Sequence, residues 1–187
     1  MIDDSEISED RIVEILSSFM CAQDKDIENF LHDRAIEFER LSKSRTYLIM
    51  DEEELASGED YKVYGYITIA LKILSIPESS SNRFRKELDG FSAKIHGEPI
   101  SEFPCYLIGQ LARNSDVEKN ALSGEKLLQL SFDIIESAAE TVGGRYLMIE
   151  CHDNQKLIDF YSSNGFNEIA SIPDNVQPMV QMIRKIF

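Results

Sequence analysis

The chain has 187 residues, 43% of them hydrophobic, with 34 Asp and Glu against 19 Lys and Arg, a formal net charge of −15. That length and apolar content suit one globular domain and exclude wholesale disorder. The sequence also holds no apolar run of the length a membrane span needs. Its acidic N-terminus, MIDDSEISED, lacks the apolar stretch of a secretory signal, and three widely spaced cysteines, Cys21, Cys105 and Cys151, form neither a disulfide framework nor a metal pair. A cytoplasmic protein without a bound metal is the resulting expectation.

The charge is unevenly spread. The first ten residues carry five acids and no base, and residues 51–60 carry six acids and no base. Without these two runs, 23 acids face 19 bases, a net of −4. Like-charged blocks of this kind read as solvated tails or loops.

In chain order, residues 9–20 place Ile12, Ile15, Leu16 and Phe19 at helical spacing. DIENFLHDRAIEFERL then predicts one helix, with Ile27, Phe30, Leu31, Arg34, Ala35, Phe38 and Leu41 near one stripe. Its His32 falls on a charged face and reads as a surface residue, as does His96 further on. Residues 45–50 read as a strand, the acidic run 51–60 as a hairpin loop, and 61–74 as a long strand bent near Gly65.

Residues 75–101 are irregular, with a short helix in NRFRKELDGF. CYLIGQLAR is the next strand. The loop NSDVEKNALSG leads into a helix of about five turns whose Leu128, Phe132, Ile135 and Ala139 share a face, stopped by Gly143 and Gly144. RYLMIEC is a buried strand, and NQKLIDFYSSNGF is a helix closed by Asn164 and Gly165. FNEIASI and PMVQMIRKIF are the last strands.

The passage from strand through a glycine-bearing loop into a helix gathers unpaired N–H groups at a positive dipole end, which suits a phosphate anion. By itself such a junction is common.

Several segments together resemble the GNAT superfamily of acetyl-CoA-dependent N-acetyltransferases. CYLIGQLAR is similar to the family's central strand, KNALSGEKLL to its pyrophosphate loop and following helix, and NQKLIDFYSSNGF to the Asn-x-x-Ala-x-x-Phe/Leu-Tyr-x-x-x-Gly-Phe segment that closes the cofactor site. From about Phe19 onward the layout resembles the toxin-like branch, in which a Phe-x-Cys segment precedes a helix ending near Arg-Thr. Gln110 stands where that branch has an arginine. The resemblance implies an α/β (α+β) fold with a mixed, mostly antiparallel central sheet flanked by helices. It divides the chain into an acidic tail with a short helix, 1–18, and an acetyltransferase domain, 19–187.

The resemblance also implies site residues. Tyr161 corresponds to the tyrosine that protonates the departing thiolate of coenzyme A. A phenol suits this, being protonated at neutral pH. Main-chain N–H groups of Leu111 and Ala112 would polarise the acetyl carbonyl. Arg113 would lie near the pyrophosphate, or serve as a plain surface charge. Lys119, Asn120, Ala121, Leu122, Ser123 and Gly124 form the phosphate cradle, although Asn120 and Leu122 replace two of the family's three glycines. Asn154 would cap its helix, contact the cofactor, or do both.

The general base stays open. Glu150 is the first candidate, with Glu102 and His152 as others, and each also has a plain structural reading. Cys105 and Cys151 read as buried apolar groups rather than nucleophiles.

The function these residues imply is acetyl transfer from acetyl-CoA to a primary amine by direct attack. A negative field favours a cationic small-molecule or protein amine. The toxin-like likeness implies, as an alternative, acetylation of aminoacyl-tRNA, for which Arg83, Arg85 and Lys86 would supply a basic segment. The altered loop leaves a non-catalytic binding or regulatory module as a third reading. Relatives in the superfamily often form homodimers.

Overall fold

The computed structural model describes residues 8–51, 62–118, 120–172 and 178–187. The acidic hairpin expected at 51–60 therefore lies almost wholly outside the described residues.

The helices are α1 (Glu9–Ser17), α2 (Lys25–Asp33), α3 (Ala35–Arg40), α4 (Asn82–Asp89), α5 (Gly124–Val142) and α6 (Gln155–Ser163). The strands are β1 (Ser44–Met50), β2 (Val63–Ser75), β3 (Lys94–Ile95), β4 (Glu98–Pro99), β5 (Glu102–Arg113), β6 (Tyr146–His152), β7 (Asn167–Ile172) and β8 (Met179–Lys185). Six strands form one sheet in the order β1-β2-β5-β6-β8-β7, and β3 and β4 make a separate hairpin. Pairing is antiparallel for β1–β2, β6–β8 and β7–β8, and parallel for β5–β6. This is the mixed, mostly antiparallel sheet that the family likeness implies.

The chain forms two compact units. The first is Met1–Ala70 with Gly109–Asp133, the second Leu71–Ile108 with Ile134–Phe187. In the first, Ile15, Leu16, Phe19, Leu31, Ala35, Val63, Tyr66 and Ala112 build the core. Phe19 meets Tyr66 edge-on at 5.1 Å, and the Tyr66 hydroxyl donates to the Ile27 carbonyl at 2.6 Å. In the second, Leu74, Ile76, Leu88, Ile100, Phe103, Tyr146, Met148 and Ile183 do the same.

Three expectations are corrected. The long helix over residues 26–41 is two helices, because Arg34 leaves helical geometry at φ −125° and ψ −25°. Leu31 and Ala35, four residues apart across the break, both reach the core. His32 is half-buried rather than simply exposed, its Nε2 lying 2.9 Å from the Phe19 carbonyl. Arg85 is buried, 4% exposed, and so is no part of a basic face. Its guanidinium donates to the carbonyls of Pro77, Glu78, Ser80 and Ile100, which organises the segment that the sequence leaves irregular.

The bend near Gly65 is present. Ile49 pairs with Gly65 and Met50 with Val63, so Tyr64 is the extra residue of a β-bulge.

Candidate functional site

In the first unit, strand β5 ends in a tightly held loop. The Asn114 N–H donates to the Tyr64 carbonyl at 2.8 Å, and the Ala112 carbonyl oxygen lies beside Gly65 of β2. Peptide groups alternate sides along a strand, so Ala112 and Asn114 face β2, while the Leu111 N–H faces the other way. Of the two expected carbonyl-polarising amides, geometry therefore favours Leu111.

Asn114 is buried at 5% exposure. Its Nδ2 donates to the Val63 carbonyl at 2.8 Å, and its Oδ1 accepts from the Asp116 N–H at 2.9 Å. The next residue extends the clip, with the Ser115 N–H donating to the Met20 carbonyl and Ser115 Oγ accepting from the Ala22 N–H, each at 2.8 Å. Sequence reasoning missed Asn114 and Ser115. Val63 lies 51 residues from Asn114 and Ala22 lies 93 from Ser115, and no local pattern signals such partners.

The candidate cradle follows. Lys119 lies outside the described residues. Asn120, Ala121 and Ser123 are exposed, whereas Leu122 is buried. Ser123 caps α5, its Oγ accepting from the Lys126 N–H at 3.1 Å. The N–H groups of Leu122, Ser123, Gly124 and Glu125 donate to no described residue, and they sit at the dipole end of a 19-residue helix. Arg113 is half-buried, and its Nη1 donates to the Leu122 carbonyl at 3.1 Å. It ties the strand end to the loop, which neither of its expected roles included.

In the second unit, the parallel pairing of β5 with β6 joins Tyr106–Ile108 to Leu147–Ile149. Beyond Ile149, Glu150 is held by two donors: Lys72 Nζ at 2.6 Å on one oxygen and Gln181 Nε2 at 2.8 Å on the other. This is the structural engagement weighed against a basic role. Cys151, next on the strand, is buried, and burial first, then Asp153 and Glu168, pushes its thiol pKa upward. Burial raises the Cys105 thiol to about 12. Neither thiol is set up as a thiolate.

Asn154 caps α6, its Oδ1 accepting from the Lys156 N–H at 3.0 Å. Cap duty uses the oxygen and leaves the amide N–H₂ for another acceptor, so the two readings of Asn154 coexist.

Gly165 ends α6 in the left-handed region at φ +86°. That turn lets the Phe166 N–H reach back to the Tyr161 carbonyl at 3.1 Å and brings the rings of Tyr161 and Phe166 to 5.5 Å. Phe160 also meets the Tyr161 ring edge-on, at 5.1 Å. The tyrosine ring is thus oriented by two aromatic edges, and its hydroxyl bonds to no described residue. Burial, with Cys151 second, pushes its pKa from 10.0 up to about 12. The group is a firmly protonated donor.

Among the described residues no cluster of ligating side chains could hold a metal ion, and no helix is long and apolar enough to cross a membrane.

No protein-family model matches the chain, and no curated protein matches it. Solved structures do. A tyrosine-to-phenylalanine mutant of KacT aligns with TM-score 0.68 and 18% identity, covering 97% of this chain and 93% of that one. AtaT complexed with acetyl-methionyl-tRNAfMet aligns with TM-score 0.64 and 21% identity, over 88% of this chain and 85% of that one. AtaTR bound with acetyl-CoA aligns with the same score and identity, over 97% and 89%. The chain therefore has the fold that these AtaT and KacT structures share.

Proposed function

We propose that the protein is an N-acetyltransferase that moves the acetyl group of acetyl-CoA to a primary amine, with the amino group of an aminoacyl-tRNA as the acceptor. The observation that carries this reading is Tyr161: a phenol in contact with two aromatic rings, firmly protonated, on the helix that resembles the family's cofactor-closing segment. The likeness to AtaT, solved with acetyl-methionyl-tRNAfMet, supports the acceptor.

The loop suits an anionic coenzyme. The four N–H groups from Leu122 to Glu125 would receive its pyrophosphate, with Ser123 and Asn120 beside them, and the family resemblance gives the Asn154 amide a contact with the cofactor arm. The coenzyme supplies an acetyl group activated as a thioester. The Leu111 N–H would stabilise charge developing on the carbonyl oxygen as the amine attacks. The C–S bond would then break, with the Tyr161 hydroxyl giving its proton to the leaving sulfur and the proton released by the attacking nitrogen returning through solvent to the phenolate.

Glu150 is the weaker of the two catalytic candidates, since both of its oxygens already accept hydrogen bonds. Its place is to hold Lys72 and Gln181 unless one of these donors moves away.

Tyr161→Phe tests the reading. It should cut turnover about a hundredfold while acetyl-CoA still binds with wild-type affinity by calorimetry. Unchanged turnover removes Tyr161 from its role. A screen with labelled acetyl-CoA against charged tRNA, polyamines, amino acids and basic peptides identifies the acceptor, and transfer to a polyamine but not to charged tRNA would overturn the tRNA assignment. A non-catalytic module, the reading that the replaced glycines favour, predicts no transfer to any of them.

A further inference from the structure

Two of the three glycine positions in the candidate phosphate loop are taken by Asn120 and Leu122, and Leu122 is the larger intrusion. A leucine facing the anion would hold the backbone away from it. The structure turns this side chain in the opposite direction.

Gly65 on β2 leaves a notch. A Cβ placed there would fall 2.7 Å from Leu122 Cδ2, 2.7 Å from the Ala112 carbonyl oxygen and 3.4 Å from Leu127 Cδ2. Leu122 fills that notch and is 7% exposed. Its own carbonyl is held by Arg113. The loop is thus pinned at its start by Asn114 and near its end by Leu122, while its N–H groups from Leu122 to Glu125 stay clear of described acceptors.

We propose that Leu122 is a positioning residue: seated in the Gly65 notch, it fixes the loop so that these N–H groups can receive a diphosphate anion. The missing glycine has in effect moved from the loop to the strand beneath it. The chain gains a preorganised cradle where two flexible residues would otherwise have to be ordered on binding. This role rests on the acetyl-CoA reading above.

The test uses the full chain with Leu122→Ala, Leu122→Val and Leu122→Met. Free coenzyme A is titrated by calorimetry, and amide hydrogen exchange is followed over residues 120–125. Leu122→Ala should weaken coenzyme A binding about tenfold through lost preorganisation, raise KM for acetyl-CoA more than it lowers kcat, and speed exchange at Leu122–Glu125. Leu122→Met, which refills the notch, should recover most of the lost affinity. Leu122→Val removes one methylene and serves if the alanine variant does not fold, with a smaller loss in the same direction.

Faster exchange with unaltered affinity would overturn the positioning role and leave the acetyl-CoA reading standing. Unaltered exchange in a folded variant would show that Leu122 does not hold the loop, and would overturn the role equally. Absence of coenzyme A binding by the unsubstituted chain would overturn both.

Discussion

Tyr161 shows how a side chain's surroundings set its chemistry. A phenol free in water loses its proton near pH 10, while the aromatic walls and burial around this one move that point to about 12. The folded state therefore keeps the proton over a range in which the unfolded chain gives it up. Stability from this group is complete below pH 10 and is lost as pH rises through about 12. Burial raises Tyr66 and Tyr106 as well, so ultraviolet titration should show several tyrosines ionising late in the folded protein, and Tyr161→Phe should remove the part that titrates near pH 12. If the late amplitude is unchanged by the substitution, the assignment of that part to Tyr161 is wrong.

At this scale the sequence was legible where a motif is local. The spacing from Tyr161 to Gly165 and Phe166 needs only one helix end, so the pattern carries its own geometry. Leu122 was legible only as a departure, because the space that receives it is made by Gly65, far away in the chain. His32 was misread for the same reason, its partner being the Phe19 carbonyl.

Among the elements, the segment between β2 and β5 depends on one buried cation. Arg85 reaches four carbonyls, three of them at 3.0 to 3.3 Å, and so serves an irregular stretch that lacks a ladder of its own. Arg85→Met would leave those acceptors without a donor and should cost about 3 kcal/mol in urea unfolding. A loss under about 0.5 kcal/mol, the usual range for an ordinary surface change, would contradict this account. A basic residue in a basic triplet reads as a surface charge, and only the fold reveals that it faces inward. The break between α2 and α3 is hidden in a similar way. Neither glycine nor proline stands at Arg34, so no residue type in the sequence announces the break. Helix α5 was legible throughout because its apolar stripe runs unbroken and Gly143 ends it.

For the whole molecule, the charge sets conditions on any nucleic-acid partner. A net −15 opposes a polyanion, so a tRNA must find its attraction in local bases, of which Arg83 and Lys86 are exposed while Arg85 is not. Binding of charged tRNA should weaken steeply with added salt, and neutralising Arg83 and Lys86 together should flatten that dependence. Binding that is indifferent to salt would point to an acceptor recognised by other means. Composition alone could state the total charge, and the fold decides which bases are available to meet a partner.

The clip made by Asn114 and Ser115 also bears on how the protein is made. Met20 and Ala22 leave the ribosome early, yet their partners follow more than ninety residues later. The first unit draws on Gly109–Asp133, and its core includes Ala112. During synthesis, the apolar faces of the early helices must wait for that stretch to emerge. A nascent chain stalled before Ala112 should be cut readily by protease and captured by holding chaperones, and one stalled well past Asp133 should resist cleavage over the same helices. The N-terminal helices come first in the sequence but settle late.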